Sequence, residues 1–394
     1  MDLLLLSVIA LVALALLFDF TNGFHDAANS VATVVATRVL PAKWAPAFSA
    51  FFNFVAFFVF GLAIANTVGK VVDSAYSGVA VIFAALMGAI IWNYITWWVG
   101  MPSSSSHALV GGLVGAGLAA GWVDAIDWSA VEKVVVAIIA SPVVAFTVAF
   151  LSMFVIGGLQ RLTKIHDDHW VFKGGQLISA AAVSLGHGAN DAQKTVGVIA
   201  ALLLGTGFSG ASTNAEGDIT VATWIPIAAY SAIAVGTLWG GWKIIETMGL
   251  RITTLHANSG LAANIGAVTA MFGATHYGIP ISTTHAAANS VAGAGVASGR
   301  GLNLRVFGEM VLAWVATIPA TVTVSFLLYK MTQLPTALAW VSVGSLLFVV
   351  GGFIAYAMSH TIGADEVAAE IPTTDELEEH VPLHPTIEGR GPVE

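Results

Sequence analysis

The chain has 394 residues, of which 57% are hydrophobic and only 9% charged, and its mean hydropathy is +0.84. Soluble domains carry about 25% charged residues, so this chain lacks the polar surface that soluble domains of this total length need. Fourteen Lys and Arg against 23 Asp and Glu exclude a nucleic-acid binder, and zero cysteines exclude disulfides and thiolate chemistry.

Apolar stretches of roughly 17–25 residues read as membrane-spanning helices. In chain order they cover residues 3–18, 44–65, 78–99, 109–122 and 131–156, then 174–189, 192–204, 221–245, 261–272, 286–296, 306–328 and 337–358. The first is not read as a signal peptide, because no Lys or Arg precedes Arg38 and no clear small-x-small site follows it. Stretches 109–122 and 286–296 are short and Gly-rich, which predicts broken or re-entrant helices whose loose backbone protein must bury. The polar linker 158–173 carries Arg161, Lys164 and Lys173 and is assigned to the cytoplasmic side, so that the acidic loop 124–127 faces outward. Residues 360–394 hold nine acids and one base, against 14 and 13 in residues 1–359. With no apolar run and with Pro372, Pro382, Pro385 and Pro392, that segment reads as an acidic, disordered tail.

Two motifs recur in the same order. Asn22-Gly23-Phe24-His25-Asp26-Ala27-Ala28-Asn29 aligns with His187-Gly188-Ala189-Asn190-Asp191-Ala192-Gln193-Lys194, with the aspartates 165 positions apart. Gly100-Met101-Pro102-Ser103-Ser104-Ser105-Ser106-His107 aligns with Gly278-Ile279-Pro280-Ile281-Ser282-Thr283-Thr284-His285, with the prolines 178 apart. The chain is therefore read as a duplication, residues 1–157 and 174–333, followed by one extra helix at 334–359 and the tail. About five crossings per half is an odd number, which sets the halves in opposite orientations. The expected fold is an all-α polytopic membrane protein with two inverted-topology repeats, whose site lies near the midplane between them.

Asn22, Asp26, Asn29 and Thr33 are spaced as one helical stripe, matched by His187, Asp191, Lys194 and Val198. One Asp at membrane depth could be a structural residue bonded to backbone. Two at equivalent repeat positions point to function, because each costs several kcal/mol unless paired. In the second motif Pro102 and Pro280 stand where a helix begins, and the hydroxyls that follow can cap that first turn or donate outward. Two helix N-termini, one per half, suit a tetrahedral oxyanion. His25, His107, His187 and His285 lie beside these groups, either as bonded structural residues or as proton carriers.

On these residues the chain resembles the inorganic phosphate transporter family, often called PiT. The resemblance rests on residues 23–33 and 188–195, on 280–285, and on the weaker partner 102–107; it spans both halves, about residues 18–329. It implies inverted repeats, a homodimer, and uptake of inorganic phosphate driven by protons or sodium ions, with no cofactor and no enzymatic activity. Carried over by position, the candidate phosphate ligands are Ser104, Ser105, Ser106, Ser282, Thr283, Thr284, Asn29, Asn190 and Thr195, and the coupling-ion or proton groups are Asp26, Asp191, Lys194, His107 and His285. Lys194 departs from the sodium-coupled pattern, which has Asn there, and is similar to the Gln-Lys-Thr form of the bacterial proton-coupled branch. Proton coupling is therefore expected, with sodium-coupled phosphate symport or sulfate transport as alternatives and a metal–phosphate complex as another cargo. An intramembrane aspartyl protease would place Gly before its aspartate, where this chain has Asn190, and a channel would show no coupling to a second ion. A multi-pass protein of a bacterial or archaeal cell membrane follows.

Overall fold

The computed structural model describes residues 2–371. The first half runs α1 (Leu3–Ala36), α2 (Ala45–Val59), α3 (Ala63–Gly69), α4 (Val79–Trp98), α5 (Ser105–Gly121) and α6 (Trp128–Thr163). Next come α7 (Trp170–Thr206), a small hairpin of β1 (Ala211–Thr213) and β2 (Ile219–Val221), α8 (Trp224–Trp239), α9 (Trp242–Glu246), α10 (Ala257–His276), α11 (Thr283–Ala297) and α12 (Leu304–Thr332). Then follow α13 (Thr336–Ser359) and a short α14 (Ala364–Glu370). Among the described residues six helices are long and apolar enough to cross a membrane, and α2 with α3, bent by 90°, makes a seventh. Their outer faces expose Phe58, Ile139, Leu312 and Phe348, the last 84% accessible. Such a belt would drive aggregation in water and is matched only by lipid. The chain is an all-α polytopic membrane protein.

The duplication is written into the packing. α1 packs on α8 while α7 packs on α2, and α5 packs on α12 while α11 packs on α6. Each of these pairs joins a helix of residues 3–163 to one of residues 170–332, a reciprocal pattern. Gly23 and Gly188 make the first pair of contacts possible. A Cβ on Gly23 would lie 2.2 Å from Ile233 O, and one on Gly188 would lie 2.4 Å from Asn53 O. Gly188→Ala should therefore destabilise the protein by about 1–3 kcal/mol through overpacking. Gly157→Ala, where a Cβ meets nothing within 4 Å, should be silent in the same thermal unfolding experiment in detergent.

Several sequence expectations need correction. Stretches 174–189 and 192–204 are one helix, α7, and the first stretch continues to Ala36, so both aspartate motifs sit inside unbroken helices. Helical backbone satisfies itself, and the polar side chains find partners on neighbouring elements, so no break is required. The breaks fall before α5 and α11, at the tips of hairpins α4–α5 and α10–α11, next to the stretches 109–122 and 286–296 expected to be broken or re-entrant, and also between α2 and α3. The loop within the linker is residues 164–169 only, because α6 runs to Thr163 and α7 starts at Trp170. The tail is ordered at its start: α14 buries Val367, and Arg38 donates to Ile371 O at 2.6 Å. The rest of the predicted disordered tail, with its four prolines, lies outside the described residues.

The 164–169 loop is tied to the second half. Asp167 accepts from Arg300 at 2.5 Å and from Asn258 at 3.0 Å. Asp168 accepts from Ala257 N at 3.0 Å and lies 3.2 Å from His256 Nδ1, capping α10. The hydrogen bond from His256 holds the Asp168 carboxyl below the usual carboxylate range. A depressed carboxyl stabilises the fold fully above its ordinary value of 3.8 and loses that contribution as pH falls through the folded value. Asp168→Asn should thus melt earlier than wild type at neutral pH, by the equivalent of about 1 kcal/mol for a lost cap, and the two melting curves should converge as pH falls from 3.8 through the lower folded value. Melting temperatures that differ equally at neutral and at acid pH would rule out this role.

Candidate substrate and ion site

α1 and α7 lie side by side at the centre, and hairpin tips α4–α5 and α10–α11 close on them. Each tip is built the same way. Gly100 and Gly278 turn the chain with φ of 71° and 64°, a region that only glycine enters freely. The carbonyl of Gly100 accepts from Thr247, and that of Gly278 accepts from Thr67, both at 2.8 Å. The new helix then starts at Ser105 or Thr283, not at the proline, with Ser104 and Ser282 as N-caps accepting from His107 N at 3.2 Å and His285 N at 3.0 Å. The first N–H groups of each helix have no intrahelical partner, so two positive dipole ends reach the aspartates.

On the first-half side, His25 Nδ1 donates to Asp26 Oδ1 at 2.6 Å, while its Nε2 lies 3.0 Å from Thr96 Oγ1 on α4. Asp26 also accepts from Ser105 and Thr284, each at 3.3 Å. Asn29 donates to Thr283 at 3.2 Å and Thr284 at 3.1 Å. On the second-half side, Asp191 accepts from Thr283 at 3.0 Å and lies 3.2 Å from His187 Nε2. The Lys194 ammonium bonds Asp191, Ser106 and, at 3.0 Å, Ile281 O. Asp26, Asp191 and Lys194 are 2%, 0% and 1% accessible, so the whole cluster is shielded from solvent. Asp26, His187 and Asp191 place ligand atoms within 4.8 Å of one another. Two carboxylates against one ammonium leave a net negative charge there when the histidines are neutral.

Of the residues singled out by sequence, Asp26, Asn29, Ser105, Ser106, Asp191, Lys194, Thr283 and Thr284 converge on this cluster. Ser104 and Ser282 serve it as caps. Asn190 stands behind it, accepting from Ile281 N at 3.3 Å and so pinning the α10–α11 tip to α7. His107 and His285 pair with each other, ring centroids 4.6 Å apart, and His285 stacks on Trp314 at 4.2 Å, so neither touches a carboxylate. Thr195 lies beside Asp19 instead. Of the four histidines left open between structural and proton-carrying roles, His25 and His187 are the ones that lie against the carboxylates; Asp19, fully buried on α1, was not singled out from the sequence. The first apolar stretch ended at residue 18, one short of Asp19; the seven-residue offset of Asp19 from Asp26, two helical turns, was the available signal.

A family model described as the phosphate transporter family matches residues 22–171 and 160–325. The chain is 47% identical over 324 residues to a probable low-affinity inorganic phosphate transporter of Rhizobium meliloti (strain 1021), covering 82% of this chain and 95% of that protein. It is 36% identical to a protein of the same name from Bacillus subtilis (strain 168), covering 84% of this chain and 98% of that one. A solved structure described as the sodium-dependent phosphate transporter shares the fold, with a TM-score of 0.72 at 24% identity over 83% of this chain and 99% of the other. Two ordered aspartate motifs, two capped hairpin tips and this coverage agree: the chain belongs to the phosphate transporter family.

Proposed function

We propose that this protein takes up inorganic phosphate together with protons, by alternating access between two halves inverted across the membrane. The observation that carries proton coupling is Lys194. Its ammonium bonds Asp191, Ser106 and Ile281 O, and this fixed positive charge against the second-half carboxylate supports a reading in which Lys194 takes the electrostatic role of a coupling sodium ion. Phosphate would enter at the tips of α5 and α11, replacing the bonds that their hydroxyls now make with Asp26, Asn29 and Asp191. An anion added to a cluster already net negative, at low dielectric, needs a positive charge to enter with it, which is the physical root of symport. Hydrogen phosphate can donate its proton to Asp26, whereas sulfate only accepts and meets repulsion.

Purified protein in proteoliposomes with labelled phosphate tests this reading. Uptake should follow an imposed inward pH gradient and not a sodium gradient, and unlabelled sulfate should compete poorly. Strict sodium dependence without a pH response would sink proton coupling, and equal transport of sulfate would sink the substrate. The clustered ligand atoms of Asp26, His187 and Asp191 favour one second reading, a divalent metal–phosphate complex as cargo. Uptake abolished by a chelator and restored by magnesium would favour it.

A further inference from the structure

Three acids are buried within α1 and α7, and two of them are accounted for. Asp26 holds His25 and two hydroxyls, and Asp191 holds Lys194, His187 and Thr283. Asp19 is 0% accessible, and neither of its carboxyl oxygens has a hydrogen-bond partner among the described residues. Its neighbours are Asn22, one turn along α1, and Thr195 on α7, with Tyr230 approaching from α8. Asn22 Oδ1, Thr195 Oγ1 and Tyr230 OH are themselves buried and unpartnered. Asn22 and Thr195 stand against this carboxylate without closing a full hydrogen bond on it, and the Tyr230 phenol lies nearby, so three buried oxygens from α1, α7 and α8 face the Asp19 carboxyl group.

A bare carboxylate at this depth costs several kcal/mol, so a positive charge must answer it. Lys194 cannot: its three protons go to Asp191, Ser106 and Ile281 O. The charged groups facing Asp19 from α7 are Asp191 and Lys194, and from α8 only the Tyr230 phenol is titratable. Asp26 lies seven residues away on the same helix, about 10 Å by the helical rise. An all-oxygen set of carboxylate, amide carbonyl and hydroxyls is the donor chemistry of a hard cation, and it equally accommodates a protonated carboxyl.

We propose that Asp19, with Asn22, Thr195 and Tyr230, forms a second monovalent-cation site in the wall of the transport pathway, separate from the phosphate cluster. On the proton-coupled reading, on which this inference rests for its occupant, the cation is a proton. Its arrival removes one negative charge from the surroundings of Asp191 and Lys194 and so favours entry of the phosphate anion. By linkage, bound phosphate then favours the cation to the same degree. Thr195 acts at this site rather than as a phosphate ligand.

The test compares wild type with Asp19→Asn in two measurements. Thermal unfolding in detergent, without phosphate, is followed as pH is lowered and as sodium chloride replaces choline chloride. Wild type should be stabilised by one of these cations and Asp19→Asn by neither. In proteoliposomes, Asp19→Asn should lose gradient-driven phosphate uptake by about tenfold or more while its phosphate affinity shifts by less than about threefold. Stabilisation by acid assigns a proton; stabilisation by sodium keeps the site and replaces its occupant. Identical cation dependence of melting in both proteins overturns the site. If wild type moves no phosphate under any gradient, the transport reading falls, and the melting comparison still decides Asp19. Should Asp19→Asn not fold, Thr195→Val and Tyr230→Phe carry the test: weakened cation dependence in either supports the site, and wild-type dependence in both overturns it.

Discussion

Asp191→Asn and Lys194→Met are each expected to lower the unfolding free energy by about 3–5 kcal/mol, and the double variant to lose far less than the sum. Either single change leaves one buried partner without its counter-charge, since Asp191 is 0% and Lys194 1% accessible. In Asp191→Asn the ammonium keeps Ser106, Ile281 O and at most a neutral amide oxygen, with no counter-charge; in Lys194→Met the carboxylate keeps Thr283, with His187 3.2 Å away. Removing both charges together leaves no buried charge of this pair without its partner, which is why the losses should not add. Thermal unfolding of the four proteins closes this cycle, and strictly additive losses would show that the two groups do not form one charge pair. Phosphate uptake should be lost in all three variants, because the double change restores packing without restoring either polar group.

Asp26→Asn should behave differently although it occupies the equivalent repeat position. It is expected to cut phosphate uptake about 100-fold, the equivalent of about 3 kcal/mol, with little change in melting temperature. Asp26 has no fixed cation beside it: His25 and Thr284 meet Oδ1, where an amide oxygen can still accept, and Ser105 meets Oδ2, where the amide NH2 can donate to the hydroxyl. What the amide loses is the negative charge that accepts a proton from substrate or holds a coupling cation. Labelled uptake together with melting curves separates the two aspartates, and a large stability loss in Asp26→Asn with normal uptake would reverse the assignment. The asymmetry follows from one position: Asn29 in the first half corresponds to Lys194 in the second. On the proposed reading, that single difference pairs Asp191 with a fixed ammonium and leaves Asp26 without one.

Much of this was legible in the residues themselves. Membrane residence follows from 9% charged residues, because so few polar groups cannot cover a soluble surface. The duplication is visible because both motifs recur in order, and the stripe Asn22, Asp26, Asn29 follows from helical spacing alone. Those local periodicities survive folding because helix geometry is a property of the chain.

Partnership was not legible. That α5 packs on α12 and α11 on α6, so that hydroxyls of both halves reach Asp26 and one from the second half reaches Asp191, depends on contacts more than a hundred residues apart in sequence. No spacing rule distinguishes Thr283, which meets Asp191, from His285, which turns to His107 and Trp314. Asp19 is the sharpest case: sequence placed it at the end of a span, while the structure buries it without a partner. Sequence by itself determined which residues stand on one face of a helix, because backbone geometry sets that. Only the tertiary structure decided which charges are compensated, because compensation is a property of neighbours that other segments of the chain supply.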